Sequence, residues 1–449
     1  MTIHTRIDVN EFVNRRQALL AKMPNNSVAL IPAAKEVTRS RDTEFLFCQD
    51  KDFYYLTGFH EPDALLVLVK GDSNVYGEDE SILFCRDKDP QQEVWHGRRI
   101  GAEAAESEFA FDVTYVLDEL EQILPMYINA KDALLFAQGS DSEFDRLVFA
   151  CIDVLRGGGR QGLSAPNTTI DIRDLIHEMR LIKSTAEISV MRAANIISGN
   201  AHKRAMQHSK QGLFEYQIEA EMLHEFAYNG ARSAAYSTIV GGGENATILH
   251  YTDNNEVLMD GELLLIDAGA ELCGYAADIT RTFPVSGKFS DAQAKLYNLV
   301  LKAQLAAIDT IKPGSNLAIA NKVANDILTQ GLYDLGLLTG DIEQLIRDKA
   351  CKQFFIHGLG HWLGLDVHDV GDYQVDAERN QLRSFEPGMV MTIEPGLYID
   401  AMADVDEDYQ GIGIRIEDNI LVTEIGYENL TVNAPKTIAD IEAVMAEAC

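Results

Sequence analysis

The sequence is poor in basic residues relative to acidic ones. Its 449 residues include 70 Asp and Glu but only 38 Lys and Arg, which gives a formal net charge of −32 at pH 7. A chain with this charge repels polyanions and anionic lipid headgroups. We therefore expect neither nucleic acid nor a membrane surface among its partners.

Long apolar runs and paired cysteines are also missing. No stretch reaches the roughly 20 consecutive apolar residues that a membrane-spanning helix needs, and the first residues show no apolar run typical of a secretory leader. The 6 cysteines are scattered and show no Cys-x-x-Cys spacing, which argues against a disulfide framework or a zinc knuckle. We expect a protein of the reducing cytoplasm.

The N-terminal part of the chain has the pattern of a smaller α/β domain with a mixed sheet, which we place at residues 1–172. Short apolar runs bounded by turn residues predict strands, and amphipathic spacing predicts helices. The predicted strands lie near residues 28–32, 64–69 and 81–84, and the predicted helices at residues 9–23 and 142–156. Residues 164–169, rich in turn formers, predict a linker.

Residues 173–449 change character, because long helical patterns alternate with pairs of strand-like runs. The predicted helices lie near residues 172–182, 184–208, 213–228, 290–311 and 315–336. The strand-like stretches lie near residues 236–252, 262–283, 389–399 and 411–423. Helices that alternate with antiparallel hairpins predict an α+β domain rather than a doubly wound one.

One strand-like pair carries two aspartates, Asp267 and Asp278, on either side of a turn around residues 272–274. If the strands fold back at this turn, the two carboxylates become neighbours on one face. Burying each carboxylate would then cost about several kcal/mol of desolvation free energy, unless a cation between the two compensates for it. A solvated or salt-bridged edge hairpin is the alternative interpretation.

A second pair of strand-like runs carries two glutamates in the same way. Glu394 ends an apolar run and precedes a Pro-Gly turn, and Glu417 lies on an alternating strand with Arg415 on the same face. The two glutamates are placed symmetrically about the acidic loop at residues 404–408, so a second hairpin could mirror the first. A polar stripe that faces solvent is the alternative for this strand.

Three of the 11 histidines, His357, His361 and His368, fall in a glycine-rich segment at residues 356–371. Glycine lets the backbone approach a ligand closely, and neutral histidine is the commonest metal ligand. Four carboxylates and one imidazole would make five ligands. Their charge of −4 suits two divalent ions rather than one, and an oxygen-rich set with one imidazole favours manganese, cobalt or zinc.

These motifs together resemble the signatures of the "pita-bread" metallopeptidases, and among them most closely the bacterial aminopeptidase P group. The motifs lie at residues 266–269, 278–284, 357–368, 392–396 and 413–418, and further similarity lies at residues 52–59 and 95–99. The resemblance implies a C-terminal pita-bread catalytic domain at residues 173–449. It also implies that Asp267 holds one metal ion, that Asp278 and Glu417 bridge both, and that His361 and Glu394 hold the second.

The resemblance further implies roles around the metal ions. Glu394 would also shuttle a proton, while His250 and His368 would contact the substrate and stabilise the tetrahedral intermediate. His357 would line a proline pocket. Tyr398 and Arg415 would support the ligands and the substrate.

The activity that the resemblance implies is cleavage of peptides after an N-terminal residue that precedes proline. It would use two divalent metal ions, manganese or alternatively cobalt or zinc. It also implies a homotetramer in which the N-terminal domain mediates assembly and covers the site, with Trp95 and Arg160 reaching a neighbouring subunit's site.

Two other functions are weighed against the aminopeptidase. An Xaa-Pro dipeptidase (prolidase) would use the same chemistry and differ in the loops that cap the proline carboxylate. A metal-free pseudo-enzyme that serves as a binding module would have lost ligands, whereas all five ligand positions are filled here.

Overall fold

The computed structural model describes residues 7–72, 78–376 and 378–447. The chain divides into two compact units, one spanning Ile7–Arg180 and the other beginning at Leu181. No helix in these described ranges is long and apolar enough to span a lipid bilayer.

The N-terminal unit is an α/β unit. Its helices are α1 (Val9–Lys22), α2 (Lys51–Thr57), α3 (Pro90–His96), α4 (Ala102–Phe109), α5 (Leu120–Ile128), α6 (Ser142–Gly157) and α7 (Arg173–Leu181). Its strands are β1 (Ser27–Pro32), β2 (Thr38–Ser40), β3 (Thr43–Glu44), β4 (Leu65–Lys70), β5 (Glu80–Cys85), β6 (Val113–Val116), β7 (Ala133–Leu135) and β8 (Thr168–Ile170).

The main sheet of this unit has the strand order β6-β5-β4-β1-β7-β8. Strand β4 runs antiparallel to β1 and β5, while β7 runs parallel to β1 and β8, so the mixed sheet expected from the sequence is confirmed. Strands β1 and β4 are buried almost throughout, because helices cover both faces of the sheet. One core cluster joins Val28 and Val67 to Leu124 and Ile152 of helices α5 and α6.

The predicted linker at residues 164–169 is wrong, because Thr168–Ile170 forms strand β8 at the edge of the sheet. Helix α7 also packs with the N-terminal unit: Arg180 donates to the Asp52 carboxylate at 2.7 Å, and the Tyr55 hydroxyl donates to the Met179 carbonyl at 3.1 Å. The division between the compact units falls at the C-terminal end of α7, between Arg180 and Leu181, whereas the sequence pattern placed it at residues 172–173.

The second unit is an α+β unit, as expected. Its helices are α8 (Thr185–His208), α9 (Glu215–Tyr228), α10 (Asp291–Ile308), α11 (Leu317–Asp334), α12 (Ile342–Arg347) and α13 (Ile438–Ala446). Its strands are β9 (Ser233–Ala234), β10 (Ile239–Gly242), β11 (Leu263–Asp267), β12 (Ala270–Leu272), β13 (Tyr275–Ala276), β14 (Thr280–Pro284), β15 (Gln374–Asp376), β16 (Gln381–Leu382), β17 (Val390–Ile393), β18 (Gly396–Tyr398), β19 (Gly413–Arg415), β20 (Asp418–Val422) and β21 (Tyr427–Asn429).

The stretch predicted as a strand at residues 236–252 is mostly not one. Only Ile239–Gly242 pairs, with β11, and a short 3-10 helix follows at Gly243–Thr247. The long helices agree with the prediction within a few residues. Helix α8 begins with a capping box, in which the Ser184 hydroxyl accepts from the Glu187 amide and the Glu187 carboxylate accepts from the Ser184 amide.

The first hairpin folds back at the predicted turn but in a shifted register. Cys273 and Gly274 have φ of 49° and 81°, so they form a two-residue turn that pairs Leu272 with Tyr275. Asp267 consequently lies opposite Thr280 rather than Asp278. Asp278 still lies on the Asp267 side of the sheet, because it is two residues from Thr280.

The second hairpin has the predicted register. Val390 pairs with Leu421 and Gly396 with Arg415, which sets Glu394 opposite Glu417 where the ladder breaks at Pro395. The alternative of a solvent-facing polar stripe is wrong, since every residue of β19 and β20 is buried.

A buried arginine joins the two hairpins. Arg281 of β14 uses all five of its N–H donors: Nη1 donates to the carbonyls of Thr280 and Glu417, Nη2 to the Asp418 carboxylate and the Ala434 carbonyl, and Nε to the Pro435 carbonyl. Burial alone would raise the pKa of Asp418, but Arg281 and Lys436 hold it well below its usual value. This ion pair therefore holds the strand beside Glu417 against the first hairpin.

We expect Arg281→Met to destabilise the second unit by about 3–5 kcal/mol, because it leaves the Asp418 charge and several carbonyls buried without this partner. The matched control is Arg192→Met, which removes the half-exposed pair with Glu428 and should cost at most about 1 kcal/mol. Urea unfolding monitored by circular dichroism measures both. Equal midpoints for the two variants would contradict the anchoring role of Arg281.

Candidate metal and substrate site

The glycine-rich histidine segment runs alongside strand β17 like an additional strand. The Thr392 amide donates to the His361 carbonyl at 2.9 Å, and the Glu394 amide donates to the Leu359 carbonyl at 2.8 Å. Only glycine fits at position 360, because a Cβ there would lie 1.9 Å from the Thr392 carbonyl oxygen. This close approach brings the His361 side chain next to Glu394.

A cavity of about 610 Å³ lies where the two hairpins and this segment meet. All five residues that the sequence assigned as ligands line it: Asp267, Asp278, His361, Glu394 and Glu417. Four further residues singled out from the sequence line it as well: His250, His357, His368 and Arg415. The cavity therefore gathers residues that lie up to 181 positions apart in the chain, from Tyr236 to Glu417.

Donor atoms in this cavity lie at distances that a metal ion can span. Asp278, His361 and Glu417 each offer one ligand atom within 4.8 Å of the others. Nε2 of His361 is 3.4 Å from Asp278 Oδ2 and 3.6 Å from Glu394 Oε1. Nδ1 of His361 lies 3.0 Å from the Trp362 carbonyl and donates to it, which leaves the Nε2 lone pair free for a cation.

The four carboxylates strongly perturb one another. Burial first, and the neighbouring Asp267 carboxylate second, raise the pKa of Asp278 well above its usual value. Burial together with Asp278 and Glu394 does the same to the pKa of Glu417. Among the described residues, one basic side chain forms a hydrogen bond with these four carboxylates. Arg415 Nη2 donates to Asp267 Oδ2 at 2.7 Å. One guanidinium does not balance four carboxylates.

Tyr236 adds an independent sign that a cation fits here. Its hydroxyl oxygen lies 2.5 Å from both Asp267 Oδ1 and Asp278 Oδ1, but it has one proton to donate. Burial and the two aspartates raise the pKa of Tyr236, so the hydroxyl stays protonated. The second carboxylate is satisfied only by its own protonation or by a positive charge. Buried oxygen donors with one correctly oriented imidazole fit hard or borderline divalent ions.

A hydrogen-bonded chain leads from Asp267 to His357. Arg415 Nη1 donates to the Tyr398 hydroxyl oxygen at 2.9 Å, so the Tyr398 proton points to His357 Nε2 at 2.7 Å. His357 Nδ1 then donates to the Gly358 carbonyl at 2.7 Å. Burial, with the charge of Arg415, lowers the pKa of His357 to about 3. The imidazole is therefore neutral and has a defined tautomer.

Two residues assigned from the resemblance lie elsewhere. Trp95, in α3, is 81% exposed, and Arg160 lies exposed in a short 3-10 helix after α6; both belong to the N-terminal unit. Their role in a neighbouring subunit's site stays a prediction.

Sequence reasoning missed Tyr236, which no motif marks, and it did not single out Thr280. The Thr280 hydroxyl donates to Glu417 Oε2 at 2.7 Å and accepts from Arg415 Nε at 3.0 Å. The position of Thr280, two residues after Asp278 on the same strand face, was the available signal for it.

The fold and this donor set define a metallopeptidase of the kind that uses two metal ions. The model of metallopeptidase family M24 matches residues 189–424, and the model of the aminopeptidase P N-terminal domain matches residues 12–136. The chain belongs to metallopeptidase family M24.

Within that family the chain groups with the Xaa-Pro aminopeptidases. It is 48% identical over 444 residues to the Xaa-Pro aminopeptidase of Escherichia coli strain K12, with 99% of each protein covered. The structure of zinc-substituted E. coli aminopeptidase P in complex with product matches with a TM-score of 0.96 and 48% identity, over 99% of this chain and 100% of that one. Proline aminopeptidase P II from Yersinia pestis matches with a TM-score of 0.95 and 51% identity, over 98% and 100%. The resemblance inferred from the motifs is confirmed.

We expect His361→Ala to weaken metal binding and to lower kcat/KM by at least about 100-fold, since loss of a mere supporting residue already costs about 10–100-fold. The thermal midpoint of the metal-free protein should change little, because the hydrophobic core is untouched. His224→Ala, which alters an exposed histidine of α9, is the control. Calorimetric titration of chelator-treated protein with Mn²⁺ gives the affinity. Wild-type affinity in His361→Ala would show that His361 is not a ligand.

Proposed function

We propose that this protein removes the N-terminal residue from peptides whose second residue is proline, and that Asp267, Asp278, His361, Glu394 and Glu417 hold two divalent ions for this reaction. The convergence of these five residues with His250, His357 and His368 in one cavity is the observation that carries the proposal. The full-length match to Xaa-Pro aminopeptidases favours this activity over that of a prolidase.

The substrate bond explains why such a site is useful. An Xaa-Pro amide is tertiary, so it lacks the N–H that a peptidase can otherwise hydrogen-bond. When bound, a pair of divalent ions supplies a nucleophile from water and polarises the carbonyl. The oxygen-rich ligand set supports manganese as the ion, with cobalt or zinc as alternatives; zinc is the substituted ion in the E. coli structure.

His250 and His368 would then serve the charge that develops during the reaction. Both line the cavity, so each can donate an N–H to the carbonyl oxygen as it becomes negative. Burial, with the nearby His361 and His250, lowers the pKa of His368, which keeps its imidazole neutral. A neutral imidazole still has one N–H to donate.

Glu394 would also move a proton. Burial raises the pKa of its carboxyl above the usual value, so it accepts a proton more readily than an exposed glutamate does and can then release it. The acceptor would be the proline nitrogen, which must be protonated as the amide bond breaks.

His357 and Tyr398 would form the wall of the proline pocket. A neutral imidazole held by the Tyr398 hydroxyl presents a fixed, uncharged surface to the pyrrolidine ring. The fixed φ of proline reduces the ordering cost of binding.

We also propose that the protein is a cytoplasmic homotetramer. The exposed Trp95 and Arg160 of the N-terminal unit would contribute to a neighbouring subunit's site. Cys48, Cys85, Cys151 and Cys351 are free thiols, which suits a reducing compartment.

The substrate assignment predicts that Arg-Pro-Pro is cleaved after arginine, while N-acetyl-Arg-Pro-Pro is nearly inert, because a free α-amine would reach the metal ions. Arg-Ala-Pro, the matched control for the second position, should be cleaved far more slowly, since a poorly filled pocket costs about 1–3 kcal/mol. Chromatographic detection of released arginine measures all three. Equal rates on the free and the acetylated peptide would refute an aminopeptidase, and cleavage restricted to Arg-Pro would indicate a prolidase.

The assembly proposal predicts a particle of about 200 kDa in solution, four times the 49.8-kDa chain mass. Trp95→Ala should shift the mass downward or lower kcat/KM, while Ile425→Ala, at a position 95% exposed in the second unit, should do neither. Light scattering coupled to size exclusion at micromolar concentration decides. A fully active wild-type monomer would contradict the proposal.

A further inference from the structure

One buried carboxylate outside the cavity receives all of its hydrogen bonds from a single chain segment. Glu215, the first residue of α9, is fully buried. Its Oε1 accepts from the Gly242 amide at 2.7 Å and from Asn245 Nδ2 at 3.0 Å. Its Oε2 accepts from the Tyr251 hydroxyl at 2.7 Å and from the Glu256 amide at 3.0 Å. Four donors fill the four lone-pair positions of this carboxylate.

The segment that carries these donors, residues 242–256, has little regular structure to hold it. A short 3-10 helix ends at Thr247, and the following residues to Glu256 belong to neither helix nor strand. A segment without ladder hydrogen bonds has to be ordered by side chains. Asn254 gives a second attachment, since its Oδ1 accepts from the Val240 amide at 3.0 Å and its Nδ2 donates to Glu219 Oε2 at 3.0 Å.

His250 lies in this segment, directly before Tyr251. Its imidazole lines the cavity and is exposed to it, and within the described part of the chain no hydrogen bond to its ring is found. Its position therefore depends on its backbone. Tyr251, by contrast, is buried in a small cluster with Leu265 and Tyr398, and its hydroxyl ends on Glu215.

We propose that Glu215 is a positioning residue that fixes the segment at residues 242–256 and so aims His250 at the substrate. Charge-assisted hydrogen bonds are about twice as strong as neutral ones, so a buried carboxylate is well suited to fasten four donors at once. The inference rests on the proposed function, because it assumes that His250 contacts the substrate.

Glu215→Gln is the main test, since it keeps the size of the side chain but turns N–H groups toward two of the four donors. We expect kcat/KM for Arg-Pro-Pro to fall about 10- to 100-fold, as it does when a reacting group is misplaced by about 1 Å. Mn²⁺ affinity should stay within about twofold, because Glu215 touches none of the ligand residues. Amide hydrogen exchange should accelerate at residues 242–256 but not at residues 390–422. Glu221→Gln, on the same helix but bonded to Arg204, should change none of these quantities.

A double-mutant cycle separates aiming of His250 from a general structural effect. In the His250→Ala background, Glu215→Gln should cause little further loss, because the group that it positions is already gone. An equal loss in both backgrounds, an unchanged kcat/KM despite faster exchange, or a lowered Mn²⁺ affinity would each overturn the proposal.

If the Glu215→Gln variant does not fold, Tyr251→Phe tests the same positioning role. This substitution removes one donor to Glu215 and leaves the carboxylate in place. It should give a smaller loss of kcat/KM with the same dependence on His250. Should the wild-type protein fail to cleave Xaa-Pro peptides at all, the proposed function fails, while hydrogen exchange still reports whether Glu215 orders the segment.

Discussion

Electrostatic repulsion among four buried carboxylates is the constraint on which the C-terminal unit depends. Asp267, Asp278, Glu394 and Glu417 lie around one cavity, and burial opposes the charge of each of them. A hydrophobic interior does not tolerate such a cluster unless positive charge is supplied. The hydrogen bonds and ion pairs around the cavity hold these carboxylates close together, although their charges repel one another in the absence of cations. The family to which the chain belongs implies a site for two metal ions at this place.

Much of the unit can be understood as support for this unfavourable arrangement. Arg281 and Asp418 tie the first hairpin to the strand beside Glu417, and Arg415 links Asp267 to Tyr398. Glu215 extends the same principle to the segment that carries His250. In each case a buried charged group is hydrogen-bonded to several neighbours, which keeps the geometry of the cavity from depending on bound cations alone.

The N-terminal unit has a different construction and no comparable cluster of carboxylates and histidines was found among its described residues. The central strands of its mixed sheet are buried on both faces, and its ion pairs join an acidic group to a basic partner, as in the pairing of Asp52 with Arg180. Such a unit is stable without a bound ion. This contrast places the candidate metal site in the C-terminal unit.

Some features followed directly from local sequence pattern. The second hairpin keeps the register expected from the symmetry of Glu394 and Glu417 about their loop, because strict alternation and the fixed period of a strand leave no other pairing with both apolar faces buried. The long helices and the ligand motifs were equally visible, since periodicity and residue type are properties of short stretches. The predicted register of the first hairpin was wrong. The backbone angles of Cys273 and Gly274 decide which two residues close the turn, and residue types alone do not reveal those angles.

What only the tertiary structure decided are the contacts between distant residues. Tyr236 bridges two aspartates, Thr280 lies between Glu417 and Arg415, and Glu215 accepts from donors that lie 27 to 41 positions away. Tyr236 and Glu215 lie in no motif of the sequence, and Thr280 is marked only by its position two residues after Asp278. The sequence by itself determined which side chains are candidate ligands and catalytic groups, because these roles require particular residue types. The three-dimensional packing decided which ordinary residues hold them in place, because a hydrogen bond depends on distance and direction, and these are set only when the whole chain has folded.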